Sequence, residues 1–312
     1  MTKIFYLTVF LFLILSIKTT AQTTDSLREK IQQIIAAKNA TVGVSISSGD
    51  QKDTLSINGD KHFPLQSVYK FHIALVVLSQ IDKGKFSLDQ KIQIKKENLL
   101  PGLYSPIRDK YPNGATLTMA EILKYIVSES DNVGCDILLK LIGGPKVVES
   151  FFKKKNIRDL SIKINEEVMQ ANWDLQYQNW TTPRAAAEVL VKFYKNKSNL
   201  LSSKSYNFIW QIMKATNTGK YRLKNKLPSN IVVAHKTGTS GTNKLGLTAA
   251  VNDIGIVFLP NGHYYFISVF VTNSKEDEIA NDEIISNISK ACYDYFLEKK
   301  NINTPYNLMT LS

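Results

Sequence analysis

The stretch SVYK, residues 67–70, places a serine hydroxyl and a lysine amine three positions apart, directly before an apolar run. On a helix, residues i and i+3 are neighbours with Cβ atoms about 5–6 Å apart, so the amine of Lys70 can reach the oxygen of Ser67. Burial would lower the pKa of Lys70 and let it accept a proton, and the N-terminal end of the helix favours negative charge on Ser67. The pair predicts a nucleophilic serine with a lysine as its base.

Two other tripeptides strengthen this hypothesis, because a lone SxxK pair is a weak signal. A second such pair, Ser150 and Lys153, lies inside a helical pattern and is interpreted as a coincidence. The tripeptide SDN stands at residues 130–132, where one helical pattern ends and the next begins. The tripeptide KTG stands at residues 236–238, at the end of a strand pattern. A helix start, an interhelical turn and a strand could bring all three motifs to one cleft.

SxxK, SDN and KTG in this order and at this spacing resemble the class A serine β-lactamases, over essentially the whole chain after its leader. The resemblance implies that Ser67 is the nucleophile and Lys70 its base or proton relay. The backbone N–H groups of Ser67 and Thr239 would form the oxyanion hole. Ser130 would pass a proton to the ring nitrogen of the substrate, helped by Lys236.

The resemblance also implies how a β-lactam is held. Lys236, Thr237 and Thr239 would meet the substrate carboxylate, and Asn132 would hold the acylamide side chain. Arg222 stands fourteen residues before Lys236, the place of an assisting cation in the PER-like extended-spectrum branch of the family. The alternative for Arg222 is an ordinary solvated loop arginine.

Release of the acyl group needs a base, which class A enzymes carry in an omega-shaped loop. The irregular segment 156–181 matches that loop and offers two adjacent acids, Glu166 and Glu167. Glu166 lies seventeen residues before Pro183, which is the family spacing, so Glu166 is the expected base and Glu167 a solvated neighbour. Gln170 stands where the family usually has an asparagine that contacts the hydrolytic water.

Several departures from the common class A pattern point to the PER-like branch. The arginine–aspartate pair that closes most class A loops is absent, since Ile164 and Asn179 stand at the matching positions. Gln66 before the nucleophile and Thr239–Ser240 after KTG also suit that branch. Tyr104 is a candidate aromatic wall of the pocket, with an ordinary loop tyrosine as the alternative.

The elements that would position these residues form an α+β fold. Hydrophobic periodicity and turn signals predict helices and strands as follows. Helices are expected over 26–38, 67–82, 118–129, 132–142, 145–155, 182–195, 203–215 and 276–298, and strands over 41–48, 53–58, 231–238, 246–253, 254–260 and 264–271. Strands at both chain ends and helices between them predict an α/β sandwich, in which an antiparallel sheet is flanked by N- and C-terminal helices. Residues 22–63 and 216–312 would form the α/β lobe and 64–215 an all-helical lobe, with the site at the seam.

The N-terminus has the pattern of a secretory signal peptide. Lys3 precedes an apolar run from Phe5 to Ile17, which is short for a membrane span, and small residues follow up to Ala21. We expect cleavage near Ala21 and a periplasmic or secreted protein with no membrane span in the mature chain; a retained amphipathic anchor is the alternative.

Composition limits the partners. The 312-residue chain carries a formal charge of +12, but its lysines are scattered, which favours a solvated basic surface over nucleic-acid binding. The four histidines lack metal-ligand spacing, so we expect no metal and no cofactor. Cys135 and Cys292 both lie in apolar helical patterns and are expected to be buried thiols, although export would permit a disulfide. A monomer that acts on a small β-lactam is expected.

Two other functions share the three motifs. A penicillin-binding D,D-peptidase would lack a dedicated deacylating glutamate, and a β-lactam sensor domain would stay acylated and need coupling to a membrane. Glu166 favours the hydrolase.

Overall fold

The structure, a computed structural model, describes residues 23–302. The predicted leader, residues 1–21, lies outside the described residues. Within 23–302, no helix has both the length and the apolar character that crossing a bilayer requires.

Ten α-helices and ten strands make up the described part of the chain. The helices are α1 Thr24–Ala36, α2 Tyr69–Asp82, α3 Pro106–Lys110, α4 Met119–Ser128, α5 Asn132–Leu141, α6 Pro145–Lys153, α7 Glu166–Ala171, α8 Pro183–Lys195, α9 Ser203–Lys214 and α10 Glu278–Ile302. The strands are β1 Thr41–Ser48, β2 Thr54–Ile57, β3 Phe63–Pro64, β4 Lys91–Lys95, β5 Gly114–Thr118, β6 Leu160–Ser161, β7 Trp180–Thr181, β8 Val233–Thr239, β9 Thr248–Phe258 and β10 Tyr264–Ser274. All eight predicted helices are present, and capping residues fix several of their starts. Thr118 and Thr182 accept hydrogen bonds from the first turns of α4 and α8, for example.

The main sheet joins the two ends of the chain, as predicted. Its strand order is β2-β1-β10-β9-β8, and every neighbouring pair is antiparallel. The register places Val44 of β1 opposite Val269 of β10, so the N-terminal hairpin β1–β2 joins the sheet beside the C-terminal strand β10.

The sheet separates two hydrophobic cores because successive side chains of a strand point to opposite faces. In β10, Phe266 and Phe270 belong to the core shared with the inserted helices, whereas Tyr265 and Ile267 belong to the core under α1 and α10. Helix α2 lies inside the first core and is buried on all sides. The C-terminal half of the predicted α/β lobe therefore shares a core with the inserted lobe.

Two details differ from the sequence-based expectation. The strands predicted at 246–253 and 254–260 are one continuous strand, β9. Asn252 and Asp253, at the boundary between the two predicted strands, are fully buried and hydrogen-bonded within the fold. In addition, the inserted lobe is not all-helical, since it contains the pair β4–β5 and the small sheet β3-β7-β6. Strands of two to five residues are too short to give a clear alternation of polar and apolar residues.

Candidate active site

Ser67 lies in a 3₁₀ turn, Gln66–Val68, that leads directly into α2. Gln66 holds a left-handed backbone with φ of 47°, and its side-chain Nε2 donates to Gln176 Oε1 at 3.0 Å. Ser67 is half-buried while both of its neighbours are buried, and it lines the cleft.

Strand β8 approaches this turn so closely that Gly238 is required there. A Cβ at position 238 would lie 2.7 Å from Leu65 O and 3.3 Å from Ser67 N. The glycine of KTG therefore lets the strand pack against the backbone of the SxxK turn.

Lys70 lies fully buried below Ser67 and is surrounded by oxygen atoms. Its Nζ is 2.8 Å from Ser67 Oγ, 2.8 Å from Ser130 O and 2.9 Å from Glu166 Oε1, and it also donates to Asn132 Oδ1. An ammonium has three N–H groups, so four oxygens compete for three protons. Lys70 thus connects a serine hydroxyl directly to a carboxylate.

The SDN turn is held by its aspartate. Ser130 has a left-handed φ of 62°. Asp131 Oδ2 accepts hydrogen bonds from Ser105 Oγ at 2.7 Å and Ile107 N at 2.8 Å, and its Oδ1 caps α5 by accepting from Gly134 N at 2.7 Å. Burial raises the pKa of Asp131 above its ordinary value. These contacts fix the turn that carries Ser130.

Lys236 is a second fully buried lysine, on the other side of Ser130. Its Nζ donates to Ser130 Oγ and to Thr237 O, both at 2.9 Å. Burial, followed by the nearby charge of Lys70, holds the pKa of Lys236 well below its usual range. Ser130 therefore contacts Lys70 through its backbone oxygen and Lys236 through its hydroxyl.

Glu166 is the first residue of α7, and its side chain is 1% exposed, whereas Glu167 is exposed. Asp136 of α5 holds this end of α7. Its Oδ1 accepts from Glu166 N at 2.8 Å, and its Oδ2 accepts from Glu167 N at 2.9 Å and from Asn165 Nδ2 at 3.0 Å. Burial raises the pKa of Asp136 from 3.8 to about 7.

The loop that carries Glu166 is closed by an amide in place of an ion pair. Asn179 is fully buried, and its Oδ1 accepts from Lys163 N at 2.8 Å and from Ile164 N at 3.1 Å. Its Nδ2 donates to Ile164 O at 2.9 Å. The two ends of the loop are thus joined through three hydrogen bonds without a charged side chain at position 164 or 179.

The cleft above these residues has a volume of about 380 Å³. Nine of the eleven residues predicted for the site line it, namely Ser67, Tyr104, Ser130, Asn132, Glu166, Gln170, Arg222, Thr237 and Thr239. The other two, Lys70 and Lys236, are fully buried and contact the lining residues Ser67 and Ser130. Tyr104 is 57% exposed at the rim, and Gln170 is exposed one helical turn after Glu166.

Arg222 is a buried residue, so the alternative of a solvated loop arginine is wrong. Its side chain is 6% exposed, and its Nε donates to Asp282 Oδ1 at 2.7 Å. Nη1 donates to Gly238 O and Asn252 O, both at 3.1 Å, and Nη2 donates to Thr239 Oγ1 at 2.8 Å. The guanidinium braces the end of β8 and borders the cleft.

Sequence reasoning missed Asp136 and Asp282, which position Glu166 and Arg222. Both lie in helical patterns where an isolated acid is usually a solvated surface residue. A signal for Asp136 was present: it follows Cys135 and precedes Ile137 in an otherwise apolar run, where a carboxylate needs a partner.

Comparison with known proteins gives consistent results. A family model described as the beta-lactamase enzyme family matches residues 26–296. Beta-lactamase VEB-1 of Pseudomonas aeruginosa is 56% identical over 276 residues, covering 88% of this chain and 92% of that protein. Extended-spectrum beta-lactamase PER-1 of the same organism is 40% identical and covers 93% of each chain. The crystal structure of TLA-1 extended-spectrum beta-lactamase superposes with a TM-score of 0.86 at 47% identity, covering 88% of this chain and all of that one (100%).

Proposed function

Since this chain belongs to the beta-lactamase enzyme family, we propose that it hydrolyses the amide bond of β-lactam antibiotics through an acyl-enzyme on Ser67 and so confers resistance. The observation that carries the proposed mechanism is the position of Lys70, 2.8 Å from Ser67 Oγ and 2.9 Å from Glu166 Oε1. A D,D-peptidase or a sensor domain is not favoured, because the relatives that match over nearly the whole chain are named beta-lactamases.

In acylation, Ser67 Oγ attacks the β-lactam carbonyl carbon and loses its proton to Lys70. Lys70 can take this proton after it has given one to Glu166, its neighbour in the ion pair. A neutral Lys70 would keep N–H groups for Ser130 O and Asn132 Oδ1 and aim its lone pair at Ser67. The N–H groups of Ser67 and Thr239 would stabilise the oxyanion.

When the ring C–N bond breaks, the nitrogen needs a proton. Ser130 is the proposed donor, supported by the hydrogen bond of 2.9 Å between its Oγ and Lys236 Nζ. The depressed pKa of Lys236 means that its ammonium releases a proton readily, so Lys236 can resupply Ser130.

Deacylation is proposed to use a water held between Glu166 and Gln170. These residues are four positions apart on α7 and therefore share a face, and both line the cleft. Glu166 would take a proton from the water as it attacks the ester carbonyl, and Ser67 would leave with a proton returned through Lys70.

Substrate binding is proposed to follow the family pattern. Lys236, Thr237 and Thr239 would bind the carboxylate, and Asn132 would bind the acylamide. Arg222 already uses four of its five N–H groups inside the protein, so it would orient Thr239 and offer the substrate one remaining N–H. Tyr104 would form the aromatic wall at the rim.

Oxyimino cephalosporins are among the proposed substrates. Two of the similar proteins, PER-1 and TLA-1, carry the name extended-spectrum beta-lactamase. Initial rates on a penicillin, an early cephalosporin and an oxyimino cephalosporin test this breadth, and no turnover of the third would contradict it.

A time course with a chromogenic cephalosporin tests the function itself. Steady turnover far beyond one equivalent is expected, and Ser67→Ala should abolish it. A burst of one equivalent followed by no turnover would instead identify a peptidase or a sensor.

We further propose a monomer that is exported by the leader. N-terminal sequencing of the protein from the periplasm or medium should find a start near Gln22, and light scattering should give the mass of one chain.

A further inference from the structure

A second cavity is lined by different residues from the catalytic cleft, and most of its charged residues are lysines. It has a volume of about 520 Å³ and borders the C-terminal ends of α6 and α8. Five lysines line it, namely Lys154, Lys155, Lys192, Lys195 and Lys197. Among the described residues that line it, Glu188 is the one carboxylate, and none is shared with the catalytic cleft.

Three of these lysines are partly withdrawn from water. Lys155, Lys192 and Lys195 are half-buried, and the side chain of Lys192 is 32% exposed. A half-buried lysine buries its aliphatic stem and keeps its ammonium group in contact with water. Three such lysines therefore place their positive charges around one cavity.

The contacts within the protein only partly compensate the positive charge. Lys192 Nζ donates to Lys155 O at 2.6 Å and to Glu188 Oε1 at 3.2 Å. Lys195 Nζ donates to the uncharged Gln51 Oε1 at 2.9 Å. One carboxylate thus faces five ammonium groups.

Lys155 shows the resulting repulsion. Burial, and then the charges of Lys83 and Lys192, lower the pKa of Lys155. Its Nζ lies 4.7 Å from the centroid of the Phe151 ring, a cation–π contact that leaves its charge unpaired. An anion in the cavity would relieve this repulsion.

Helix dipoles explain only part of this arrangement. Lysines are favourable near a helix C-terminus, which accounts for Lys153 in α6 and Lys192 and Lys195 in α8. The dipoles do not account for the placement of the C-terminal ends of α6 and α8 on either side of one cavity. In that placement the lysines of one helix repel those of the other.

We propose that this cavity binds a polyphosphate anion. Lysine ammonium groups act as point charges for phosphate oxygens, and the volume exceeds what a single phosphate would fill. Free polyphosphates and phosphorylated lipid headgroups share this chemistry. The site is separate from β-lactam hydrolysis and does not depend on it.

Titration calorimetry with sodium tripolyphosphate at low ionic strength tests the site. Wild type should show saturable binding at one site, and the double variant Lys155→Gln/Lys197→Gln should bind about tenfold more weakly or worse. Lys226→Gln/Lys275→Gln removes the same charge elsewhere, since Lys226 contacts Asn287 of α10 on the opposite side of the sheet from α8. This control should bind like wild type; no saturable binding by wild type, or an equal loss in the control, would overturn the proposal.

Thermal unfolding gives an independent readout that a purely structural role of the lysines would not produce. Tripolyphosphate should raise the Tm of wild type and of the control, because a ligand that binds the folded state stabilises it, but not the Tm of the Lys155→Gln/Lys197→Gln variant. Equal shifts in all three proteins would contradict a site in this cavity. Turnover of a cephalosporin should be the same in all three.

Vesicles separate the two sources of the anion. Phosphatidylcholine vesicles with and without cardiolipin are sedimented with each protein. Cardiolipin-dependent sedimentation that tripolyphosphate displaces would support the cavity as a lipid headgroup site, and tripolyphosphate binding without sedimentation would support it as a site for a free anion. Sedimentation that persists in the double variant would contradict use of this cavity by the lipid.

Discussion

At the residue scale, the two adjacent glutamates of α7 have the same side chain but differ in burial and in contacts. Glu166 is buried and contacts Lys70, whereas Glu167 is exposed and contacts Asp136 only through its backbone. We therefore expect Glu166→Gln to form the acyl-enzyme and to hydrolyse it very slowly, because an amide cannot activate the water. Mass spectrometry of the intact protein after mixing with a cephalosporin should show the adduct on Ser67.

Glu167→Gln is the matched control for this experiment, since it makes the same chemical change one residue away. It should retain turnover close to that of wild type. Adduct accumulation in Glu167→Gln, or undiminished turnover in Glu166→Gln, would contradict the assignment of the base.

Asp136 gives a pH-dependent prediction about stability. Its pKa rises from 3.8 to about 7, so the folded protein binds this proton more tightly than the unfolded chain. A raised carboxyl pKa contributes stability that is fully present below about pH 4 and is lost as the pH rises through about 7. The unfolding free energy of wild type minus that of Asp136→Asn should therefore fall across this range in denaturant titrations. A difference that is constant with pH would contradict the raised pKa.

At the scale of elements, the contact between β8 and the SxxK turn depends on Gly238. In Gly238→Ala the new Cβ would lie 2.7 Å from a backbone oxygen, so the strand or the turn must move. Because a displacement of about 1 Å in a catalytic group can cost about 10²-fold in rate, we expect kcat/KM to fall by about that factor. Steady-state kinetics measure the effect.

Gly241→Ala separates a displaced strand from a merely destabilised protein. Gly241 has a φ of 73°, so alanine is strained there by about 1–2 kcal/mol, but no heavy atom lies within 4 Å of the new Cβ. Its Tm should fall while kcat/KM stays within a few-fold of wild type. Similar activity losses in both variants would show that the close approach at Gly238 is not what matters.

The omega-shaped loop depends on Asn179 in the same way. Asn179→Ala removes three partly buried hydrogen bonds, and a buried polar group left without a partner costs about 1–3 kcal/mol. The loop carries Glu166, so deacylation should slow more than acylation, and a burst should precede the steady state in stopped-flow traces. Asn172→Ala, which removes an exposed contact with Asp174 N, should show no burst.

The elements explain how far the sequence could predict this site. The predicted motifs mark the starts of α2 and α5 and the end of β8, and local capping signals such as Asp131 define such positions along the chain. Asp136 holds Glu166 from thirty residues away, and Asp282 reaches Arg222 across sixty. Contacts of this kind depend on tertiary packing, which no local pattern encodes. The same reason explains why the continuous strand β9 was predicted as two strands, 246–253 and 254–260.

At the scale of the whole molecule, the main sheet contributes side chains to two hydrophobic cores, one on each face. The sequence did not show which sheet residues belong to which core. The lobes were predicted as separate units along the chain, but Phe266 and Phe270 of the sheet pack with the inserted helices. The cleft lies where these parts meet, with Ser67 and Ser130 on the helical side and Lys236 on the sheet. Its geometry therefore depends on both parts remaining folded together.

The two cysteines provide a test of this coupling, because each is a buried free thiol in a different core. Cys135 lies in the core shared with the inserted helices, and Cys292 lies in the core under α10. Burial raises the pKa of both thiols, so neither reacts in the closed protein and each labels only after local or global opening. If the molecule unfolds as one unit, Cys135→Ala and Cys292→Ala should show the same labelling rate for the remaining thiol after correction for their stabilities. Mass spectrometry after timed exposure to a thiol reagent measures both rates, and much faster labelling of Cys292 would show that α10 opens independently of the catalytic core.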